Sequence, residues 1–266
     1  MNHSHEIAVE IGGTSILLRT QDPSFRELLA SRYAGFVRDA SAPKFELDVD
    51  LALPTADSEL DQDVTVRVQD GRWRLQRGDF RAQWDPRAGR GRVRQSANPY
   101  SIDSVLRILH TLILAQEGGF LLHAASAVRN RRAFLFSGVS GAGKTTISRL
   151  APPDVTLLTD EISYVRCDGN TYRACGTPFA GELARVGENC SAPLAGLFFL
   201  AKGPENKIEP VGRAEAVRCL LRNILFFAED PELVKKVFAS ACEFVARVPV
   251  KRLTFVPDDR VWDLIA

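Results

Sequence analysis

The sequence predicts an α/β protein in which a mixed-sheet domain (residues 98–266) follows a small, β-rich N-terminal α+β module (residues 1–97). Short alternating runs fill the N-terminal part, continuous apolar runs begin after Gly119, and a glycine-rich loop directly follows one of those runs. Alternation is typical of strands with one face in water, whereas continuous apolar runs are typical of strands buried on both faces. The change of pattern therefore predicts two parts of different architecture.

Composition and charge argue against several classes of protein. The 266 residues are 45% hydrophobic and 25% charged, with a net charge of +1, which gives no field favouring nucleic acid or a membrane as partner. The five cysteines are widely spaced and form no C-x-x-C pair, so we expect reduced thiols rather than a zinc site or disulfides. No signal peptide is recognisable, and no apolar run reaches the roughly 18 residues of a membrane span. We therefore expect a cytoplasmic protein.

The N-terminal module is predicted to contain short strands and one helix. The alternating strands are residues 7–19 (a hairpin), 45–51, 64–68, 72–75, 79–84 and 91–95. Residues 45–51 are expected to be a half-buried antiparallel strand, residues 54–63 form an acidic loop, and a helix begins at Asp22. A basic stretch that includes Arg87, Arg90, Arg92 and Arg94 could bind phosphate or an acidic partner. A solvated hairpin is the favoured interpretation, since the chain is near neutral.

The larger domain begins with a helix at residues 100–117, on which His110 is expected to be at the surface or half-buried. The later elements are predicted as strands at residues 120–128, 133–137, 155–159, 162–166, 171–173, 194–200 and 250–255, and helices at 214–227 and 231–247. His123 interrupts the first of these strands, 15 residues before Gly138. It is either a structural core histidine or a group close to the glycine loop.

The glycine-rich loop has the sequence Gly-Val-Ser-Gly-Ala-Gly-Lys-Thr at residues 138–145, which fits G-x-x-x-x-G-K-[ST]. Glycines allow backbone N–H groups to close around a phosphate chain. Lys144 would reach the β- and γ-phosphates of a nucleotide, and the Thr145 hydroxyl would bind Mg²⁺. The predicted nucleotide-binding residues are Gly138, Ser140, Gly141, Ala142, Gly143, Lys144, Thr145 and Thr146, with ATP and Mg²⁺ as cofactors.

An acidic pair follows the next predicted strand. Asp160 and Glu161 lie 16 and 17 residues after Lys144, where P-loop proteins place a metal-binding carboxylate. The two acids remain alternatives for the general base and for the metal ligand. The loop at residues 176–182 is rich in turn residues, so it either lines the site or is an ordinary connection.

His123, the loop at 138–145 and the pair Asp160-Glu161 together resemble the catalytic domain of HPr kinase/phosphorylase, whose nucleotide-binding core is shared with phosphoenolpyruvate carboxykinases. The resemblance covers about residues 119–265. It implies a P-loop-containing mixed sheet of the HPr kinase/carboxykinase type, Mg·ATP as cofactor, and a serine hydroxyl as acceptor. By position it also implies that Asp160 is the base and that His123 lies near the γ-phosphate, while Thr145 and an acid bind Mg²⁺.

With two departures from the HPr kinases, the sequence resembles a diverged HPr-kinase-related group. HPr kinases carry two aspartates where this chain has Asp160-Glu161, and their later glycine-rich signature has no clear match at residues 176–182. Some members of this group phosphorylate serine in other proteins or in modified peptides. We therefore expect a kinase that acts on a protein or peptide, with a homo-oligomeric state possible. The alternatives are a nucleotide-gated binding module without phosphotransfer and a small-molecule kinase.

Overall fold

The computed structural model describes residues 4–39, 42–53, 63–179, 181–183 and 187–265. The chain divides into two compact units, Met1–Leu112 with Phe226–Val234, and Ile113–Leu225 with Lys235–Ala266. This division falls inside a helix, whereas the sequence suggested a boundary between residues 97 and 98. That boundary stays a prediction about which part folds independently. Most of the predicted acidic loop at 54–63 lies outside the described residues.

The N-terminal unit contains an eight-stranded mixed sheet. Its strands are β1 (His5–Ile11), β2 (Thr14–Thr20), β3 (Val37–Arg38), β4 (Phe45–Leu51), β5 (Thr65–Gln69), β6 (Arg72–Arg77), β7 (Phe80–Asp85) and β8 (Arg90–Gln95), in the spatial order β3-β1-β2-β4-β8-β7-β6-β5. The strand β4 is parallel to both of its neighbours, β2 and β8. The predicted antiparallel pairing of residues 45–51 is therefore wrong. Alternating burial reports that one face of a strand is solvated, and it does not report the direction of the neighbouring strands.

Two helices begin in this unit, α1 (Pro23–Arg32) and α2 (Pro99–Glu117). The helix α1 begins at Pro23 because the Asp22 carboxylate accepts the N–H of Phe25 at 2.9 Å, which satisfies one of the free donors of the first turn. The expected surface or half-buried position of His110 on α2 is wrong, since this side chain is fully buried. Burial along α2 extends around the helix instead of following one apolar stripe.

The basic stretch lies on the solvated face of the hairpin formed by β7 and β8. Arg90 and Arg92 point outward and form ion pairs with β4, to Glu46 at 3.3 Å and to Asp50 at 3.1 Å. Exposed pairs of this kind contribute little to stability, about 0–1 kcal/mol. This arrangement is that of a solvated hairpin, the favoured interpretation of the sequence.

The C-terminal unit contains a nine-stranded mixed sheet. Its strands are β9 (Phe120–Arg129), β10 (Arg132–Ser137), β11 (Thr156–Thr159), β12 (Ile162–Asp168), β13 (Thr171–Cys175), β14 (Ser191–Lys202), β15 (Lys207–Pro210), β16 (Ile224–Leu225) and β17 (Val250–Phe255). The helices are α3 (Lys144–Arg149), α4 (Arg213–Leu221) and α5 (Pro231–Arg247), and Asp259–Leu264 is a 3₁₀ helix. Because β14 is parallel to β10 and β17 while β9 is antiparallel to its partners, the predicted mixed sheet is confirmed.

Both faces of this sheet are buried, as the continuous apolar runs predict. On β10, Leu135 packs into one core cluster, while Phe134 and Phe136 pack into a second cluster. The first cluster includes Phe244 of α5, and the second includes Trp262 of the 3₁₀ helix. Successive side chains of a strand point to opposite faces, so a strand covered on both sides must be apolar throughout.

Several elements differ from the sequence-based prediction. The helix predicted at 214–227 ends at Leu221, because the chain turns to let the Asn223 carbonyl accept the His123 N–H at 2.8 Å, and β16 then pairs with β9. The strands β3, β15 and β16 and the 3₁₀ helix were not predicted, since each of them is short. No helix within the described ranges is long and apolar enough to cross a membrane.

Candidate functional site

The glycine-rich loop connects the strand β10 to the helix α3. The backbone of Gly143 has φ +111°, and a Cβ at this position would lie 2.7 Å from the Phe255 ring. Only glycine meets both conditions without strain. Within the loop, the Ala142 N–H donates to the Val139 carbonyl at 3.0 Å, which closes a tight turn before α3 begins at Lys144.

The Lys144 side chain contacts the backbone at the start of this loop. Its ammonium donates to the Gly138 carbonyl at 3.0 Å and lies 3.5 Å from the Val139 carbonyl oxygen. Burial lowers the pKa of Lys144, and the negative charges of Glu161 and Glu182 oppose that effect. The ammonium is therefore held by neutral carbonyl oxygens, with two carboxylates nearby.

His123 lies on β9 beside the end of β10. The Ser137 hydroxyl donates to the His123 carbonyl at 3.0 Å, which joins the two strands where the glycine loop begins. Burial, followed by the positive charge of Lys144, lowers the pKa of the half-buried His123 imidazole below its ordinary value of 6.5. The imidazole is therefore neutral near pH 7 and can offer one donor and one acceptor.

Asp160 and Glu161 form the turn between β11 and β12. The two Asp160 carboxylate oxygens accept the backbone N–H groups of Gly181 and Leu183, each at 2.9 Å. A Cβ at Gly181 would lie 2.8 Å from one of these oxygens, so glycine permits the close approach. Asp160 is only 5% exposed and thus anchors the loop at residues 181–183 beside the glycine loop.

Glu182 lies between the two residues that bind Asp160, and sequence analysis did not identify it as a site residue. Its carboxylate accepts a hydrogen bond from the Thr145 hydroxyl at 3.1 Å. The end of the loop predicted at 176–182 therefore lines the site, although Ala180 lies outside the described residues. The only signal in the sequence is an acid beside a glycine in a turn-rich loop, and no spacing rule links that loop to Thr145.

These groups surround one cavity of about 360 Å³. Its lining residues are His123, Ser140, Gly141, Gly143, Lys144, Thr145, Thr146, Asp160, Glu161, Gly181 and Glu182. Of the nucleotide-binding residues that the sequence predicts, Gly138 and Ala142 do not line it. They instead pack against each other, since a Cβ at Gly138 would lie 2.7 Å from the Ala142 Cβ.

The oxygen atoms that line this cavity suit a hard cation that is also bound by a ligand. Thr145, Glu161 and Glu182 supply hydroxyl and carboxylate oxygens, which are the protein ligands that Mg²⁺ prefers. Among the residues that the structure describes, no three His, Cys, Asp or Glu side chains are arranged to hold a metal by themselves. Mg²⁺ commonly takes one or two carboxylates and completes its shell with water and phosphate oxygens. The residues present therefore fit Mg²⁺ bound together with a phosphate chain.

Comparison with known proteins identifies the family of the chain and a distant structural likeness. No curated protein matches the chain. Among solved structures, the HPr(Ser) kinase/phosphatase from Coxiella burnetii is 12% identical, with 51% of this chain and 84% of that chain covered and a TM-score of 0.27. A TM-score this low supports no conclusion about the site. Residues 95–266, more than half of the chain, match the family of SynChlorMet cassette protein ScmC, and the chain belongs to that family.

Proposed function

We propose that this protein is an ATP-dependent kinase that transfers the γ-phosphate to a hydroxyl group, with serine of a protein or peptide as the acceptor. One observation carries the proposal. A single cavity contains the lysine and threonine that follow the glycine loop, a neutral histidine, and the carboxylates of Asp160, Glu161 and Glu182. Phosphoryl transfer is catalysed almost entirely by positioning and by stabilising charge, and these are the groups that do so.

The glycine loop and Lys144 are the proposed phosphate-binding elements. The ammonium of Lys144 now contacts neutral carbonyl oxygens of the loop. Exchanging those contacts for anionic phosphate oxygens is favourable, since charge-assisted hydrogen bonds are about twice as strong as neutral ones. Thr145 and Glu182 would hold Mg²⁺, which when bound neutralises charge on the phosphates. Neutral His123 would donate a hydrogen bond to the transferred group.

The proton of the acceptor hydroxyl requires a carboxylate whose oxygens face the cavity. Both oxygens of Asp160 already accept backbone N–H groups, so Asp160 is engaged in holding the loop at 181–183. Glu161 lines the same cavity and has the charge to take the proton. In this proposal Asp160 is a positioning residue, and Glu161 takes the role of base that the family resemblance implies for Asp160.

A nucleotide-gated binding module is the second candidate, and one contact favours it. The hydrogen bond between Thr145 and Glu182 links the glycine loop and α3 to the loop at 181–183. A nucleotide that took over Thr145 would release Glu182, so the surface formed by that loop would change without phosphotransfer. The two candidates share the nucleotide site and differ in the fate of the γ-phosphate.

One experiment separates them. Purified protein is incubated with Mg²⁺ and γ-labelled ATP in a lysate of its own source, and labelled products are identified by mass spectrometry. The kinase proposal expects label on serine of a protein or peptide, and none with Lys144→Ala. Measurable ATP binding without transfer of label to any acceptor would favour the binding module. Absence of ATP binding in calorimetry would contradict both.

A further inference from the structure

Helices α4 and α5 line an apolar groove of about 830 Å³ in the C-terminal unit. None of its lining residues belongs to the cavity described above. Its apolar surface comes from Ala214, Val217 and Leu221 of α4 and from Phe238 and Cys242 of α5. The groove is as large as cavities that hold ligands, which range over about 300–1,000 Å³.

The apolar residues of α4 extend beyond those that are buried in the core. Ala216 and Leu220 are buried, with Leu220 in the main cluster of the unit. Val217 and Leu221 lie one position further along the helix and line the groove, and Leu221 also contacts the edge of that cluster. On α5, Phe238 leaves 53% of its surface exposed. A helix that needed only a core contact would carry polar residues at these groove-lining positions.

Three arginines, Arg213, Arg218 and Arg222, line the same groove. Within the described part of the chain, none of their side chains has an ion pair or a hydrogen bond, whereas nearby Arg252 is paired with Glu215. Arg218 and Arg222 lie at the C-terminal end of α4, where the helix dipole favours a cation. Arg213 is the first residue of α4, where the dipole disfavours a cation, so helix stability does not explain its presence.

The spacing of these charges indicates the kind of ligand. From Arg213 to Arg222 the chain rises about 13 Å along the helix axis. At 3.6 residues per turn, Arg218 and Arg222 lie on one side of the apolar stripe and Arg213 lies on the other side. Cations spread over this distance and on both sides match several carboxylates of a polypeptide better than one small anion. The apolar surface between the arginines matches side chains that repeat on one face of an amphipathic helix, as in helix-in-groove recognition.

We propose that the α4–α5 groove binds an acidic amphipathic peptide segment, whose apolar side chains enter the groove while its Asp or Glu side chains pair with the three arginines. The charges are complementary and the apolar contact provides most of the binding free energy. The proposal does not depend on phosphoryl transfer, since none of the residues involved lines the candidate nucleotide site.

The test measures fluorescence anisotropy of labelled synthetic peptides titrated with the full chain. The probe is a helical peptide with leucines on one face and glutamates on both sides of that face. We expect saturable binding that weakens as salt rises. Replacing the glutamates by lysine or the leucines by serine should each lower the affinity by at least about tenfold. Arg218→Glu, Arg222→Glu and Phe238→Ala should have effects of similar size.

Arg94→Glu is the matched control, because Arg94 is exposed on β8 and forms no ion pair among the described residues. Circular dichroism verifies that each variant is folded, and all four changes are at exposed positions. The proposal is overturned if the acidic peptide shows no saturable binding, if the lysine peptide binds equally well, or if the groove variants bind like the Arg94 control.

Two other occupants give different results. If a second copy of the chain fills the groove, sedimentation will show concentration-dependent association that Phe238→Ala removes. If the groove contacts an acidic lipid surface, vesicles of phosphatidylserine and phosphatidylcholine will bind the chain, and Phe238→Ala will abolish that binding. Either result overturns the proposal of a peptide ligand.

Discussion

The Thr145 hydroxyl donates a hydrogen bond to the Glu182 carboxylate at 3.1 Å, which joins the first turn of α3 to a loop 37 residues further along the chain. Asp160 fixes that loop by accepting the N–H groups on both sides of Glu182. The two acids therefore differ in role. Asp160 is buried and holds the backbone of the loop, whereas Glu182 lies beside the hydroxyl that would bind Mg²⁺.

Glu182→Gln should weaken ATP binding in the presence of Mg²⁺ and leave metal-free ATP binding nearly unchanged. An amide is a poorer Mg²⁺ ligand than a carboxylate, so the loss should be limited to the metal-dependent part of the affinity. Isothermal titration calorimetry with and without Mg²⁺ measures both quantities. Glu205→Gln, at an exposed position before β15, is the control. Equal loss of affinity under both conditions would argue against a metal-binding role for Glu182.

Lys144→Ala should abolish tight ATP binding while the protein stays folded. Removing the ammonium leaves phosphate charge uncompensated, and a hydrogen bond to a charged group contributes about 1.5–3 kcal/mol. Calorimetry measures the affinity, and Lys251→Ala, an exposed lysine on β17, is the control. ATP affinity equal to that of the unmodified protein would contradict a phosphate-binding role for the glycine loop.

Asp160→Asn and Glu161→Gln should separate positioning from proton transfer. In Asp160→Asn, the side-chain amide would present a donor to one of the two loop N–H groups, so we expect a loss of stability of about 1–3 kcal/mol and weaker Mg·ATP binding. Glu161→Gln should keep Mg·ATP binding and lose about 10²–10⁴-fold in transfer rate, as removal of a general base does. Denaturant unfolding, calorimetry and the labelled-ATP assay measure the three quantities. Normal transfer by Glu161→Gln, together with loss of transfer but intact Mg·ATP affinity in Asp160→Asn, would restore Asp160 as the base.

Gly143→Ala should destabilise the protein by about 1–3 kcal/mol, because a Cβ in this left-handed backbone would also collide with the Phe255 ring. Gly141→Ala is the matched variant. Gly141 also has positive φ, +76°, but a Cβ there would meet no atom within 4 Å. Gly141→Ala should therefore lower the free energy of unfolding only by the backbone strain. Denaturant unfolding of the two variants compares them, and equal losses would show that the Phe255 contact is unimportant.

Local features of the site were predictable from the sequence, and features that depend on distant segments were not. The strand before the glycine loop, Lys144 and Thr145 belong to one continuous stretch of fixed spacing, so pattern alone places them. Glu182 reaches Thr145 only because Asp160 holds the intervening loop by backbone hydrogen bonds. Hydrogen bonds to the backbone leave no signature in side-chain pattern, so this residue could not be assigned.

The same distinction applies to the fold. Hairpins such as β1–β2, predicted at residues 7–19, are determined by adjacent residues, here with Gly12 and Gly13 at positive φ in the turn. The parallel pairing of β4 with β2 and β8 joins segments that are not adjacent in sequence. The end of α4 at Leu221 likewise depends on the β9 backbone, because the His123 N–H donates to the Asn223 carbonyl. Helical periodicity alone predicts a longer helix.

The buried imidazole of His110 should make the stability of the protein depend on pH. Burial lowers the pKa of His110 from 6.5 to about 3. Between these values the unfolded chain binds a proton that the folded chain does not, so the free energy of unfolding falls as pH falls below 6.5. One such group contributes a slope of up to about 1.4 kcal/mol per pH unit. His110→Leu should remove this part of the slope. Denaturant unfolding at several pH values between 7 and 4 measures the slopes, and equal slopes for His110→Leu and the unmodified protein would show that His110 does not control the acid sensitivity.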